Sequence, residues 1–279
     1  MKNALRIFAL CTFGFTQAAL AEATFSQNND AAVAKSASES VVEVSGRPGT
    51  SIKFVYTKNP NPTAHVIFFP GGRGYMGVSA GIFGVSFGSY SKDLSINTRN
   101  MLQKRGFSVA IVDTPSDRGP RMGGFRESQE YGEDINAVVA RLKQDADVPV
   151  WLYGHSRGTV AAAAQTINLG KNVVNGVILS ASIAAGTRHD SYVTEMPLHK
   201  IAVPVLVMSA ENDRCEEWTP KSAAEVIAAK LSNSPNVSLV YPEGARNFGD
   251  ICKAESAHSY YGIEDKVTDI VANFIDVNK

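Results

Sequence analysis

The amino-acid sequence predicts an α/β protein with a mostly parallel central sheet and helices on both of its faces. Short apolar runs of the buried-strand kind recur along the chain, helical patterns fill the intervals between them, and no repeat, charge block or change of composition breaks the alternation. The 279 residues are 44% hydrophobic and 19% charged, which suits a core-forming chain and excludes a disordered or fibrous one. Basic and acidic residues balance at 27 each, so nothing marks nucleic acid as a partner.

The chain opens on a segment outside this pattern. Lys2 and Arg6 precede an uncharged, largely apolar stretch from Ile7 to Leu20, and Ala19-Leu20-Ala21 offers a small-residue cleavage site before Glu22. We expect residues 1–21 to be a signal peptide, because the stretch falls short of the roughly 20 residues a membrane span needs. No stable membrane anchor is then expected after cleavage. Removal leaves 258 residues with 25 basic against 27 acidic, a formal charge of −2. Residues 22–38 are rich in Ala, Ser and Asn without apolar period and read as a flexible linker. A single domain is expected over 39–279, periplasmic or secreted, with its oligomeric state open.

Within that domain, Val41–Val44 and Ile52–Tyr56 flank the turn-rich Gly46-Arg47-Pro48-Gly49 and predict an antiparallel hairpin. Strands are expected at His65–Phe69, Phe107–Val112, Val148–Tyr153, Val177–Ser180, Val203–Met208 and Val237–Tyr241. Helices are expected at Ser91–Lys104, Gln129–Lys143, Thr159–Leu169, Pro220–Leu231 and Glu264–Ile275. Export leaves Cys215 and Cys252 as an even pair in an oxidising compartment, which predicts a disulfide between them. No CxxC-type pair suggests zinc, and neither a metal nor another cofactor is implied.

The chemistry concentrates where one strand turns into a helix. Val150-Trp151-Leu152-Tyr153 runs into Gly154-His155-Ser156-Arg157-Gly158, followed at once by an Ala-rich helix. This is G-x-S-x-G in the strand–turn–helix setting of a nucleophile elbow: Ser156 must stand on a tight turn, and the two glycines allow strand and helix to approach closely. The Arg157 N–H, at the helix start, would face an oxyanion.

On these residues the chain resembles the α/β-hydrolase superfamily from about Val41 to its end. The resemblance implies the α/β-hydrolase fold, no cofactor, and a Ser–acid–His order along the chain. Of five histidines only His258 lies beyond the last expected strand, which makes it the candidate base. The acid belongs on the loop after Val205–Met208, where Asp213 matches, with Glu211 and Asp190 as rivals. A second oxyanion donor is implied in Pro70-Gly71-Gly72-Arg73-Gly74, at Gly72 or alternatively Arg73, with Pro70 where the family often has His. The 19 residues from Ala184 to Ala202 leave room for only a small or absent cap. Walls for the substrate are sought in Tyr75–Tyr90 and at Trp218, and an acidic substrate could meet Arg73, Arg118 or Arg121. The expected activity is serine hydrolysis of a small carboxylic ester; peptidase, thioesterase and non-catalytic binding readings remain alongside it.

Overall fold

The computed structural model describes residues 38–279 except 83, 89–91 and 187–188. The expected signal peptide and all of the linker but its last residue lie outside the described residues. Ser38 already belongs to the first strand.

Among the described residues ten strands and five α-helices follow in chain order: β1 Ser38–Ser45, β2 Ser51–Lys58, β3 Ala64–Phe69, β4 Val78–Gly81, β5 Gly84–Phe87, α1 Leu94–Lys104, β6 Phe107–Val112, α2 Gln129–Asp145, β7 Val150–His155, α3 Gly158–Leu169, β8 Gly176–Ser180, β9 Val205–Met208, α4 Ser222–Lys230, β10 Val237–Val240 and α5 Glu264–Asn278. Eight strands form one sheet in the order β1-β2-β6-β3-β7-β8-β9-β10. The β1–β2 hairpin is antiparallel, with Val42 opposite Phe54, and β2 runs antiparallel to β6. From β6 to β10 every neighbouring pair is parallel.

Strand residues alternate between two cores. Ile67, Phe69, Leu152 and Val207 face α2, α3 and α4, whereas Val66, Phe68, Trp151 and Leu206 face α1 and α5. Both faces being covered, β3, β6, β7, β8 and β9 are buried along their whole length, which is why they read as continuous apolar runs. Two helix starts are set by side-chain caps. Asp93 accepts from the Ser95 N–H and begins α1 three residues later than its apolar pattern suggests, and Ser128 caps α2 through the Tyr131 N–H.

One segment departs from expectation. Tyr75–Tyr90, where the sequence predicts no strand, contains the β4–β5 hairpin, which packs on β1 and β2. Its two four-residue strands are too short and too rich in Gly and Ser to show a period. The hairpin is fixed from outside, since the buried Asp113 after β6 accepts from the Met76 and Val78 N–H groups at 2.8 and 2.9 Å.

Candidate active site

Between the end of β7 and the start of α3 the chain reverses in two residues, and Ser156 takes a left-handed φ of 51°. A side chain on Gly154 would place its Cβ 2.5 Å from the Gly158 carbonyl oxygen, and one on Gly158 would stand 2.0 Å from the Phe69 carbonyl oxygen. Both glycines are thus required by close approach of backbone to backbone. The turn is tied by the Ser156 N–H donating to the Ser180 carbonyl (2.9 Å) and by the Thr159 hydroxyl donating to the Ser156 carbonyl (2.6 Å). Among the described residues the Ser156 hydroxyl has no hydrogen-bond partner, and Ser156 lines an open cleft of about 840 Å³.

His258 lines the same cleft from a 3-10 turn, Ala257–Ser259, just before α5. Its Nδ1 lies 3.1 Å from Asp213 Oδ2, and both side chains are buried. The Cys215 N–H donates to Asp213 Oδ1 at 2.9 Å. Thr219, which the sequence reading did not single out, places its hydroxyl 3.2 Å from His258 Nδ1 and 3.5 Å from Asp213 Oδ2. Cys215 and Cys252 are disulfide-bonded, with Cα atoms 5.0 Å apart, and the bridge forms part of the cleft wall.

The rival residues are engaged elsewhere. Glu211 points outward and pairs with Lys221 (2.6 Å). Asp190 is buried between Arg126 and Arg157. His65 is buried within β3 with Nε2 2.9 Å from the Ala146 carbonyl, and the exposed His189 and His199 are not among the residues of the cleft. His155, inside the elbow, spans Ser180 (3.1 Å) and Ser259 (3.3 Å) with its two ring nitrogens. Burial pushes its pKa well below the usual imidazole range, and the neighbouring His258 adds to this, so it stands as a neutral strut.

On the opposite lip, the Gly71 N–H donates to Asp93 Oδ2 (3.3 Å), while Gly72, with φ 58°, turns its carbonyl toward Arg126 (3.2 Å). Gly72, Arg73 and Arg157 all line the cleft. Asp93 lines it too, and was not anticipated. Burial pushes its carboxyl above the usual range, opposed in part by the hydrogen bonds from Ser95 and Gly71. Trp218 forms a wall, as one expectation had it. The described residues of Tyr75–Tyr90 do not, nor do Arg118 and Arg121; Arg118 instead stacks on Phe125 with its guanidinium carbon 3.8 Å from the ring centre. Among the described residues no group of three or more His, Cys, Asp or Glu is arranged to hold a metal ion.

Solved structures resemble this arrangement of strands and helices. A dienelactone hydrolase from Anabaena variabilis superposes with a TM-score of 0.61 at 14% identity, over 87% of this chain and 98% of that one. An esterase from Pyrococcus furiosus gives 0.59 at 11% identity, over 87% and 92%. A serine hydrolase without a lid from Xanthomonas campestris gives 0.54 at 13%, over 86% and 94%. The chain has the α/β-hydrolase fold. No protein-family model and no curated protein matches it in sequence. Among the described residues of Ala184–Ala202 the chain forms two single-turn 3-10 helices, Val193–Glu195 and Leu198–Lys200, and no helix longer than these.

Proposed function

We propose that the protein is a serine hydrolase that cleaves a small carboxylic ester through an acyl-enzyme. The observation that carries this reading is His258, paired with the buried Asp213, lining one cleft with a serine held at positive φ on a strand–helix turn. In the first half-reaction the Ser156 oxygen attacks the ester carbonyl carbon while His258 Nε2 takes the hydroxyl proton. Asp213 holds the Nδ1–H tautomer and stabilises the imidazolium. The oxyanion accepts hydrogen bonds from the Arg157 and Gly72 N–H groups. Collapse of the tetrahedral adduct breaks the ester C–O bond, and His258 returns the proton to the departing alcohol. Water then repeats the sequence on the acyl-enzyme, releasing the acid and restoring Ser156.

Amide and thioester substrates fit the same constellation, as does a fold retained for binding alone. A fluorophosphonate probe separates catalysis from binding, since it should label wild-type protein at Ser156 and leave Ser156→Ala unlabelled. Absence of labelling on folded wild-type protein would overturn the enzyme reading. A panel of p-nitrophenyl esters of increasing acyl length, run beside aminopeptidase anilides, then ranks the substrate classes. The disulfide favours maturation in an oxidising compartment, in line with export by the N-terminal segment.

A further inference from the structure

Behind the cleft lies a charge network that the proposed mechanism does not use. Arg126 stands in a 3-10 turn, Phe125–Glu127, with its side chain 3% exposed. Its Nη1 donates to Asp190 Oδ2 (3.3 Å) and its Nη2 to the Gly72 carbonyl (3.2 Å). Asp190, fully buried, accepts from Arg157 Nε on the same oxygen (2.5 Å) and from the Gly124 N–H on the other (2.9 Å). The Arg126 backbone is anchored in turn by Gln165 of α3, whose amide donates to the Arg126 carbonyl at 2.7 Å.

A buried ion pair is weak evidence for stability, because desolvation offsets most of the attraction. What distinguishes this one is where its arms end. One arm reaches the glycine loop, and the other, through Asp190, reaches the residue after the nucleophile. Gly71 and Gly72 carry no side chains that could hold their peptide planes. The plane that bears the Gly72 N–H sits between two anchors, Asp93 on the Gly71 N–H and Arg126 on the Gly72 carbonyl. The guanidinium reaches the carboxylate and the carbonyl from two nitrogens held in one rigid plane, a spacing that a lysine's single ammonium nitrogen does not reproduce. The two arginines and one carboxylate also leave a net positive charge behind the place where an oxyanion would form.

The geometry points to Arg126 as a positioning residue that, with Asp190, sets the aim of both oxyanion amides. This rests on the ester-hydrolase reading of Ser156 given above. A thionoester tests it, because sulfur is a poor hydrogen-bond acceptor and draws little from well-aimed amides. Wild-type protein should therefore cleave an oxygen ester far faster than the matching thionoester. Arg126→Met should lose about ten- to a hundredfold in kcat on the oxygen ester, less than the loss of a whole oxyanion donor. It should lose much less on the thionoester, with KM changed less than about threefold. Arg126→Lys should recover only part of the loss. Circular dichroism checks that each variant is folded, and Arg126→Lys carries the same comparison where Arg126→Met does not fold. Equal losses on both esters, or no loss in a folded variant, would overturn the inference and leave the network a structural one. Wild-type protein that cleaves neither ester overturns the hydrolase reading instead, and this inference with it.

Discussion

His258 is one of five histidines, and what sets it apart is a buried carboxylate 3.1 Å from Nδ1 together with a place in the lining of the cleft that holds Ser156. His258→Ala should lower kcat by about 10⁴-fold or more, as loss of a triad base does. His189→Ala and His199→Ala should change it little. Steady-state kinetics on one ester decides, and a comparable loss at either exposed histidine would sink the assignment. Asp93 calls for a different measurement. Its carboxyl is held above the usual range by burial, so ionising it costs more in the folded chain than in the unfolded one. The stability it contributes is therefore complete below the unfolded carboxyl pKa of about 4 and is lost as pH rises through the folded value. Asp93→Asn keeps a competent helix cap but cannot ionise. Urea unfolding should show the variant gaining on wild type between pH 4 and pH 8, and parallel pH profiles would count against this. Ser156, Asp213 and His258 could be named as candidates in advance because a motif and the chain order implied by the resemblance point to them. Arg126, Asp93 and Thr219 could not, because the contacts that bring them to the cleft cross more than 20 residues of sequence, to Gly72 and Asp190, to Gly71 and to His258 respectively.

The elbow is an element whose requirements are almost wholly steric. Gly158→Ala would press a methyl against the Phe69 carbonyl and force α3 away from the end of β3, at a cost of about 2–3 kcal/mol. Gly49→Ala is the natural control: its φ is +76°, but nothing stands within 4 Å of the added methyl. That change should cost about 1 kcal/mol, from backbone strain alone. Thermal unfolding compares the two, and a smaller loss at Gly158 would contradict the steric account. The same contrast explains which elements could be read in advance. Strands β3, β6, β7, β8 and β9 are buried on both faces and announce themselves as apolar runs, most within two residues of their ends. The β4–β5 hairpin is half exposed and is held by Asp113, 26 residues beyond Phe87, so no local pattern reveals it.

Across the whole molecule, the sheet sets Asp213 and His258 on separate loops after β9 and β10, 45 residues apart, and the Cys215–Cys252 bridge joins those loops at the cleft wall. The bridge meets Asp213 directly and is linked to His258 through the loop that precedes it. Cys215 donates its own N–H to Asp213 Oδ1. Cys252 belongs to a loop closed by Ser256, whose hydroxyl reaches the Ile251 and Lys253 carbonyls two residues before His258. With 37 residues of sequence separation, the chain-entropy model assigns the cross-link about 4 kcal/mol of stability. Replacing both cysteines by Ser should lower the unfolding free energy by up to that amount. It should also lower kcat in protein that remains folded, because a displacement of about 1 Å between Asp213 and His258 can cost on the order of a hundredfold. Urea unfolding followed by kinetics well below the transition separates the two effects. Full kcat in a destabilised but folded double variant would make the bridge a staple of the fold with no part in aligning the pair. Two alkylated cysteines, found by mass spectrometry in non-reduced, folded wild-type protein, would show that the cross-link does not form at all.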